Sequence, residues 1–298
     1  MTSALTPKWS TPDLHAAIKD HYDGLIELYE DLWGEHIHHG YWAEGEPDPG
    51  RHAAQVRLIE ELLAFGGLSE IAGGARVLDV GCGVGASSVH LAGKLGCTVD
   101  GITISSEQIV RAGEKAAEAG VTDRTTFRLM DAMATDYEDG TFDVVWALES
   151  CELMPDKRKF LAECARVLKP GGTLLVATWC ARDDKLAKDE ARLLDRIYRD
   201  FVVSHVLPLD HYRTLVEELG LTGIRTADWS EQVADTWKIS SEAVKPVVRN
   251  PSMVWKLIRA KGMDIFRFLN SVPLMKQAYE RNVMRYGVFT ATRAGDPS

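Results

Sequence analysis

The feature that most narrows what this chain can fold into is the run Val77-Leu78-Asp79-Val80-Gly81-Cys82-Gly83-Val84-Gly85, an apolar strand passing directly into three alternating glycines. Glycine tolerates left-handed backbone and carries no Cβ, so such a run makes a tight turn whose amide groups a ligand can approach closely. The next ten residues, 86–95, have helical patterning, and the strand–turn–helix unit is then repeated. Short β-branched runs at Arg76–Val80, Thr98–Ile102, Thr126–Met130, Phe142–Leu148 and Thr173–Thr178 predict strands, separated by helices near 86–95, 107–119 and 157–168. Strands alternating with helices imply right-handed crossovers and a mostly parallel sheet covered on both faces. Gly223–Asp228 and Tyr286–Thr292 supply two more strands, the last of them open to an antiparallel placement. The expected fold class is therefore α/β, with ligands at the edge where the parallel strands end.

Additions flank this core. Leu14, Ile18, Tyr22, Leu25, Tyr29 and Leu32 recur at helical spacing, a second helix is expected over 52–65, and further helices fill 181–207 and 230–285. We divide the single folding unit into an N-terminal helical lid (1–65), a cofactor-binding core (66–180) and a helical substrate cap with the last core strands (181–298). The apolar residues Val254, Leu257, Ile258, Ile265, Phe268, Leu269 and Val272 form a stripe beside basic residues, interrupted by Gly262. It is expected to roof a lipophilic cavity or meet another subunit, with peripheral membrane contact as the alternative.

Composition excludes several classes. The net charge of −10 argues against a protein that coats nucleic acid, although the segment from Pro251 onward carries a local excess of basic residues. No run reaches the roughly 18 apolar residues of a membrane span. Five scattered cysteines without a C-x-x-C pair, and a first stretch without leader character, fit a reducing cytoplasm. Homo-oligomerisation is left open.

The glycine loop also satisfies a loose dinucleotide pattern, Gly81-x-Gly83-x-x-Ala86. Asp79 disfavours that reading, because a carboxylate one residue before the first glycine suits a cationic or amino-acid-bearing ligand better than a diphosphate. Asp-x-Gly-x-Gly-x-Gly followed by Gly101-Ile102-Thr103-Ile104-Ser105-x-x-Gln108 resembles the class I S-adenosylmethionine-dependent methyltransferases. The stretches Leu32–Gly40, Glu149–Lys157 and Asp228–Glu231 resemble the γ-tocopherol methyltransferase group, which includes alkaloid N-methyltransferases and is itself similar to sterol C-methyltransferases.

The resemblance implies a Rossmann-like sheet of seven strands and S-adenosylmethionine as cofactor. By position, Gly81, Gly83 and Gly85 pass beneath its methionine part, with Asp79 near the amino group. Thr103, Ile104 and Gln108 take the ribose side, where most relatives carry an acid. Asp131 and Ala132 meet the adenine, Glu149 contacts the cofactor, and Ile37, His38 and Tyr41 cover it. Glu152, Glu149 and His39 are the candidate catalytic residues. Tyr22, Trp179, Tyr198, Phe201 and Trp229 are candidates for the substrate cavity, together with Trp237. The triplet His36, His38, His39 lacks a fourth ligand of recognised spacing, so no metal is expected.

Methyl transfer is an in-line displacement at an activated carbon, and the enzyme's task is chiefly alignment. In the tocopherol group the motif after the fourth strand carries a His, a candidate base; here that position is Leu153 and the neighbouring Gly position is Cys151. This favours a nucleophile needing no strong base. The expected acceptor is a lipophilic prenylated, terpenoid or alkaloid molecule, methylated at C or N, with a tocopherol-like phenolic ring as the alternative. The competing classes are an NAD(P) oxidoreductase and an inactive cofactor-binding sensor or partner subunit.

Overall fold

The computed structural model describes residues 11–71 and 74–295. In chain order its elements begin with helices α1 (Thr11–Trp33) and α2 (Arg51–Gly66), then β1 (Arg76–Val80), α3 (Ala86–Leu95), β2 (Thr98–Thr103), α4 (Ser106–Glu118), β3 (Thr125–Leu129) and β4 (Phe142–Leu148). A 3-10 turn at Cys151–Leu153 leads to α5 (Lys157–Val167), β5 (Leu168–Ala181), α6 (Lys188–Asp200), α7 (Leu209–Glu218) and β6 (Leu221–Asp228). The short α8 (Ser230–Val233), then α9 (Asp235–Val248), α10 (Pro251–Lys261), α11 (Met263–Glu280) and β7 (Met284–Arg293) complete the chain. The first ten residues of the expected lid lie outside the described residues.

All seven strands join one sheet in the order β3-β2-β1-β4-β5-β7-β6. The β1–β4, β1–β2, β2–β3 and β4–β5 pairs are parallel, whereas β7 runs antiparallel to both of its neighbours, the placement left open for the last strand. Strand order reverses between β1 and β4, so the loops after these two strands diverge and leave a crevice.

Alternate residues of each strand feed opposite faces. In β4, Val144 and Trp146 join the large apolar cluster with α1, α2, α9 and α11, while Val145 and Ala147 join a second cluster with α5 and α7. Burial on both faces is why β4 reads as a continuous apolar run. The start of β5 differs from expectation. Leu168 already pairs with Phe142, but Val144 pairs with Thr173, so Lys169-Pro170-Gly171-Gly172 is looped out of the strand. Proline has no N–H for the ladder, and a bulge accommodates it.

The apolar stripe divides at Gly262, whose φ is +83. On its α11 side, Ile265, Phe268, Leu269 and Val272 are buried against α6 and α9. On its α10 side, Met253 and Trp255 are exposed. The α11 half of the stripe is thus core packing, and its α10 half, Val254, Leu257 and Ile258, is half-buried.

Candidate active site

Two adjoining cavities lie where β1, β2, β3 and β4 end. The first, of about 1060 Å³ counting its mouth, is floored by Asp79, Gly81 and Gly83 and walled by Thr103, Ile104, Gln108, Asp131 and Ala132. At Gly81 (φ +78) an added Cβ would sit 2.4 Å from Ser150 Cβ, because Ser150 is drawn in by donating to the Val80 carbonyl at 2.5 Å. Gly85 does not line the cavity, in correction of the expected role. A Cβ there would lie 2.5 Å from Ala112 Cβ, so this glycine serves the close approach of α4.

Asp79 is buried and accepts a 2.5 Å hydrogen bond from Ser88. Burial pushes its carboxyl up to about 7, with Ser88 alone opposing the shift. A buried carboxyl with no cation beside it is costly, and an ammonium entering the cavity would relieve that cost. Thr103 donates to Gln108 Oε1 at 2.6 Å, which leaves the Gln108 amide nitrogen as a donor where an acid is more usual. One Asp131 oxygen accepts from the Met133 amide at 2.8 Å. This donor set fits a ligand bearing an ammonium, a ribose and a purine.

The roof of the first cavity was only partly foreseen. His15, Ile18 and Lys19 of α1 line it beside Tyr22. They recur at one-turn spacing, but only Ile18 belongs to the apolar pattern read from the sequence; His15 and Lys19 carry no such signal. Asp23 accepts from Ser105, fastening α1 to the loop after β2. Ile37 and His38 line the cavity, but Tyr41 does not. Its ring meets Trp229 edge-on at 5.3 Å and lies under Arg57, and its backbone N–H bonds to Ala54.

The second cavity, about 470 Å³, is mainly aromatic: Tyr22, Tyr29, Trp33, Trp179, Phe201 and Trp237 surround His39, Glu149 and Glu152. Of the residues expected at a substrate cavity, Tyr22, Trp179 and Phe201 line this one. Trp229 and Tyr198 do not: Trp229 packs between Tyr41 and Phe65, and Tyr198 turns toward the Val206 backbone. Helical insertions carry aromatic residues for packing as well as for binding, and sequence spacing does not separate the two.

Glu149, just after β4, has a strained φ of +53. Its Oε1 accepts from the His39 amide and the Tyr286 hydroxyl, each at 2.8 Å; Oε2 accepts from His39 Nδ1 at 2.8 Å and Trp179 Nε1 at 3.4 Å. Burial alone would raise this carboxyl, but the His39 and His38 rings and the hydrogen bonds outweigh it and hold it below the usual range. Since a carboxylate only accepts, His39 Nδ1 carries a proton toward Glu149, and its Nε2 faces the Tyr279 hydroxyl at 3.5 Å. Glu152 behaves oppositely. It is bonded to Thr178 at 2.9 Å, and burial and the Glu149 charge push it up to about 8.

Cys151 and Cys180 are buried packing residues, the former thiol pushed up to about 12 by burial. Burial also lowers His38, and with His38 and His52 alongside it takes His36 down to about 2, so both imidazoles are neutral.

Comparison with known proteins agrees with this geometry. Residues 78–176 match the model of a methyltransferase domain family. The chain is 37% identical over 300 residues to a chloroplastic tocopherol O-methyltransferase of Arabidopsis thaliana, covering 95% of this chain and 84% of that protein. It is 34% identical to a 2-methyl-6-phytyl-1,4-hydroquinone methyltransferase of a Synechocystis strain, covering 91% and 84%. Among solved structures, the [4+2]-cyclase SpnF superposes with a TM-score of 0.80 at 25% identity, covering 95% of this chain and 97% of that one. With a buried Asp79 carboxyl below a glycine loop and relatives of this closeness along nearly its whole length, the chain belongs to the class I S-adenosylmethionine-dependent methyltransferases and resembles their tocopherol methyltransferase group.

Proposed function

We propose that this methyltransferase acts on a lipophilic small molecule carrying a hydroxyl on an aromatic ring, and that His39 is the base that accepts its proton. The observation that carries this reading is the His39–Glu149 pair in the wall of the aromatic cavity. Leu153 stands where tocopherol-type motifs place a histidine, and His39, far away in sequence, brings an imidazole to the same cavity. The phenolic alternative is therefore the better supported one.

S-adenosylmethionine, bound in the first cavity, supplies an electrophilic methyl group. Asp79 holds the ammonium end, and Thr103, Gln108 and Asp131 hold the nucleoside end. Tyr22, Ile37, His38, Glu149 and Leu153 line both cavities, so the two ligand sites adjoin across this shared set of side chains. As the acceptor bonds to the methyl carbon the sulfonium C–S bond breaks, leaving a neutral thioether; the acceptor's hydroxyl proton passes to Nε2 of the neutral form of His39, and the Glu149 carboxylate stabilises the resulting imidazolium through Nδ1. The aromatic walls exclude water and hold the lipophilic ring. The tocopherol and phytyl-hydroquinone methyltransferases among the relatives support such an acceptor.

A second reading, N-methylation of an amine, is favoured by Glu152. Its carboxyl, mostly protonated at neutral pH, would ionise beside a cation held within the aromatic ring set. The 28% identical norajmaline N-methyltransferase of Rauvolfia serpentina lends support. The five free, buried cysteines favour a reducing compartment such as the cytoplasm.

The test offers methyl-labelled S-adenosylmethionine with a chromanol phenol, an indole-type amine and a prenyl alkene. The expected label is in the chromanol, with His39→Gln lowering kcat by about 10²–10⁴ at little change in KM. Label confined to the alkene, or full kcat in the variant, would overturn the role of His39.

A further inference from the structure

We propose that Glu35, His36 and His52 form a binding site for a divalent transition metal, with zinc as the best-suited ion, at the outer end of the segment that carries His38 and His39. One ligand atom from each of the three residues lies within 4.8 Å of the other two. The triplet His36, His38, His39 offered no metal site as a sequence motif. The fold takes it apart: His38 and His39 turn inward to the cavities, and His36 meets partners from either side of it in the chain.

The hydrogen bonds fix which nitrogen is available. His38 Nδ1 lies 2.7 Å from the His39 carbonyl, and a carbonyl only accepts, so the His38 proton is on Nδ1. In the neutral tautomer that this bond selects, His38 Nε2 is a lone pair, and His36 Nδ1, 3.2 Å away, donates to it. The His36 proton is thereby committed, and its Nε2 is an unprotonated, ligand-ready nitrogen. A ring whose second nitrogen already donates to a fixed acceptor is the support that metal-bound imidazoles use.

The segment itself is anchored. Gln55 of α2 donates to the carbonyls of Trp33 at 3.0 Å, His36 at 2.6 Å and His38 at 3.1 Å. His36 is buried, whereas Glu35 and His52 have 51% and 63% of their side chains exposed, so the two outer ligands are free to close on the fixed one. In the metal-free protein His52 Nε2 donates to Glu35 at 3.1 Å. On binding, that proton leaves to solvent or moves to Nδ1, and both groups turn their lone pairs to the ion. Two imidazoles, one carboxylate and a water make a tetrahedral set suited to zinc; all-oxygen-seeking magnesium and calcium are disfavoured. Occupancy would tie the 34–40 segment to the start of α2 and so order the wall to which His38 contributes.

The test titrates the untagged full chain with Zn²⁺, and with Co²⁺ as a spectroscopic stand-in, following melting temperature and visible absorption. One equivalent is expected to give a tetrahedral cobalt spectrum and to raise the melting temperature. His52→Gln, and independently Glu35→Gln, should weaken binding at least about tenfold and abolish the shift, with metal-free activity unchanged. Absence of any spectrum or shift in the parent, or equal binding by the parent and both variants, would overturn the site.

Discussion

Replacing Asp79 by asparagine should make the ligand-free protein more stable and the cofactor-bound protein weaker. In the structure the carboxyl is buried and its pKa stands at about 7, against 3.8 for an unperturbed aspartate. Here the folded value is raised, so the folded state binds more protons than the unfolded one between these two pH values. Stability is therefore lost, not gained, as pH rises through that window, the reverse of a salt-bridged aspartate. The difference corresponds to about 4 kcal/mol above pH 7 and under about 2 kcal/mol at pH 5. The asparagine amide would keep the Ser88 contact without the charge, so the apo form of Asp79→Asn should melt higher at pH 8, and the gap should close toward pH 4. On the proposed assignment, the same carboxylate would be the partner of the cofactor's ammonium. Because only its ionised form binds well, affinity in the parent should fall about fivefold between pH 7 and pH 6. Calorimetric titration in buffers of different ionisation enthalpy should show proton release that grows over this interval. Equal melting temperatures at pH 8, or a parent affinity as flat with pH as that of Asp79→Asn, would refute the assignment.

The glycine loop offers a paired comparison. Gly81→Ala drives a Cβ to 2.4 Å from Ser150 in left-handed backbone, and should cost about 1–3 kcal/mol and most of the cofactor affinity; Gly83→Ala, with open space around it, should cost only about 1 kcal/mol. Differential scanning with and without cofactor separates the two. Phe268→Ala removes a fully buried ring that touches Tyr29, Trp33 and Phe201, and should lower stability by about 3–5 kcal/mol in denaturant titration while cofactor binding persists.

The sequence made the sheet legible because its strands are short, β-branched and punctuated by glycine: β1, α3 and β4 fall on the expected residues. The floor of the cofactor cavity was equally legible, since Asp79, Gly81, Thr103 and Asp131 lie at strand ends and need no long-range information. The lid was not. Which face of the segment after α1 turns inward depends on its docking to distant elements, such as the Trp42 amide bonding to the Gln232 carbonyl. His38 therefore faces in and Tyr41 out, against the simple reading of both as covers. The His39–Glu149 pair joins residues far apart in the chain, and its partners Tyr279 and Tyr286 come from the last two elements. No local pattern announces such a meeting.

The wall common to both cavities has a thermodynamic consequence. A ligand that orders Tyr22, Ile37, His38, Glu149 and Leu153 for itself has already met part of the entropic cost of ordering them for its neighbour. With cofactor and acceptor placed as proposed, the two would be coupled binders, and linkage would make the coupling reciprocal: whatever factor the acceptor imposes on cofactor affinity, the cofactor would return to the acceptor.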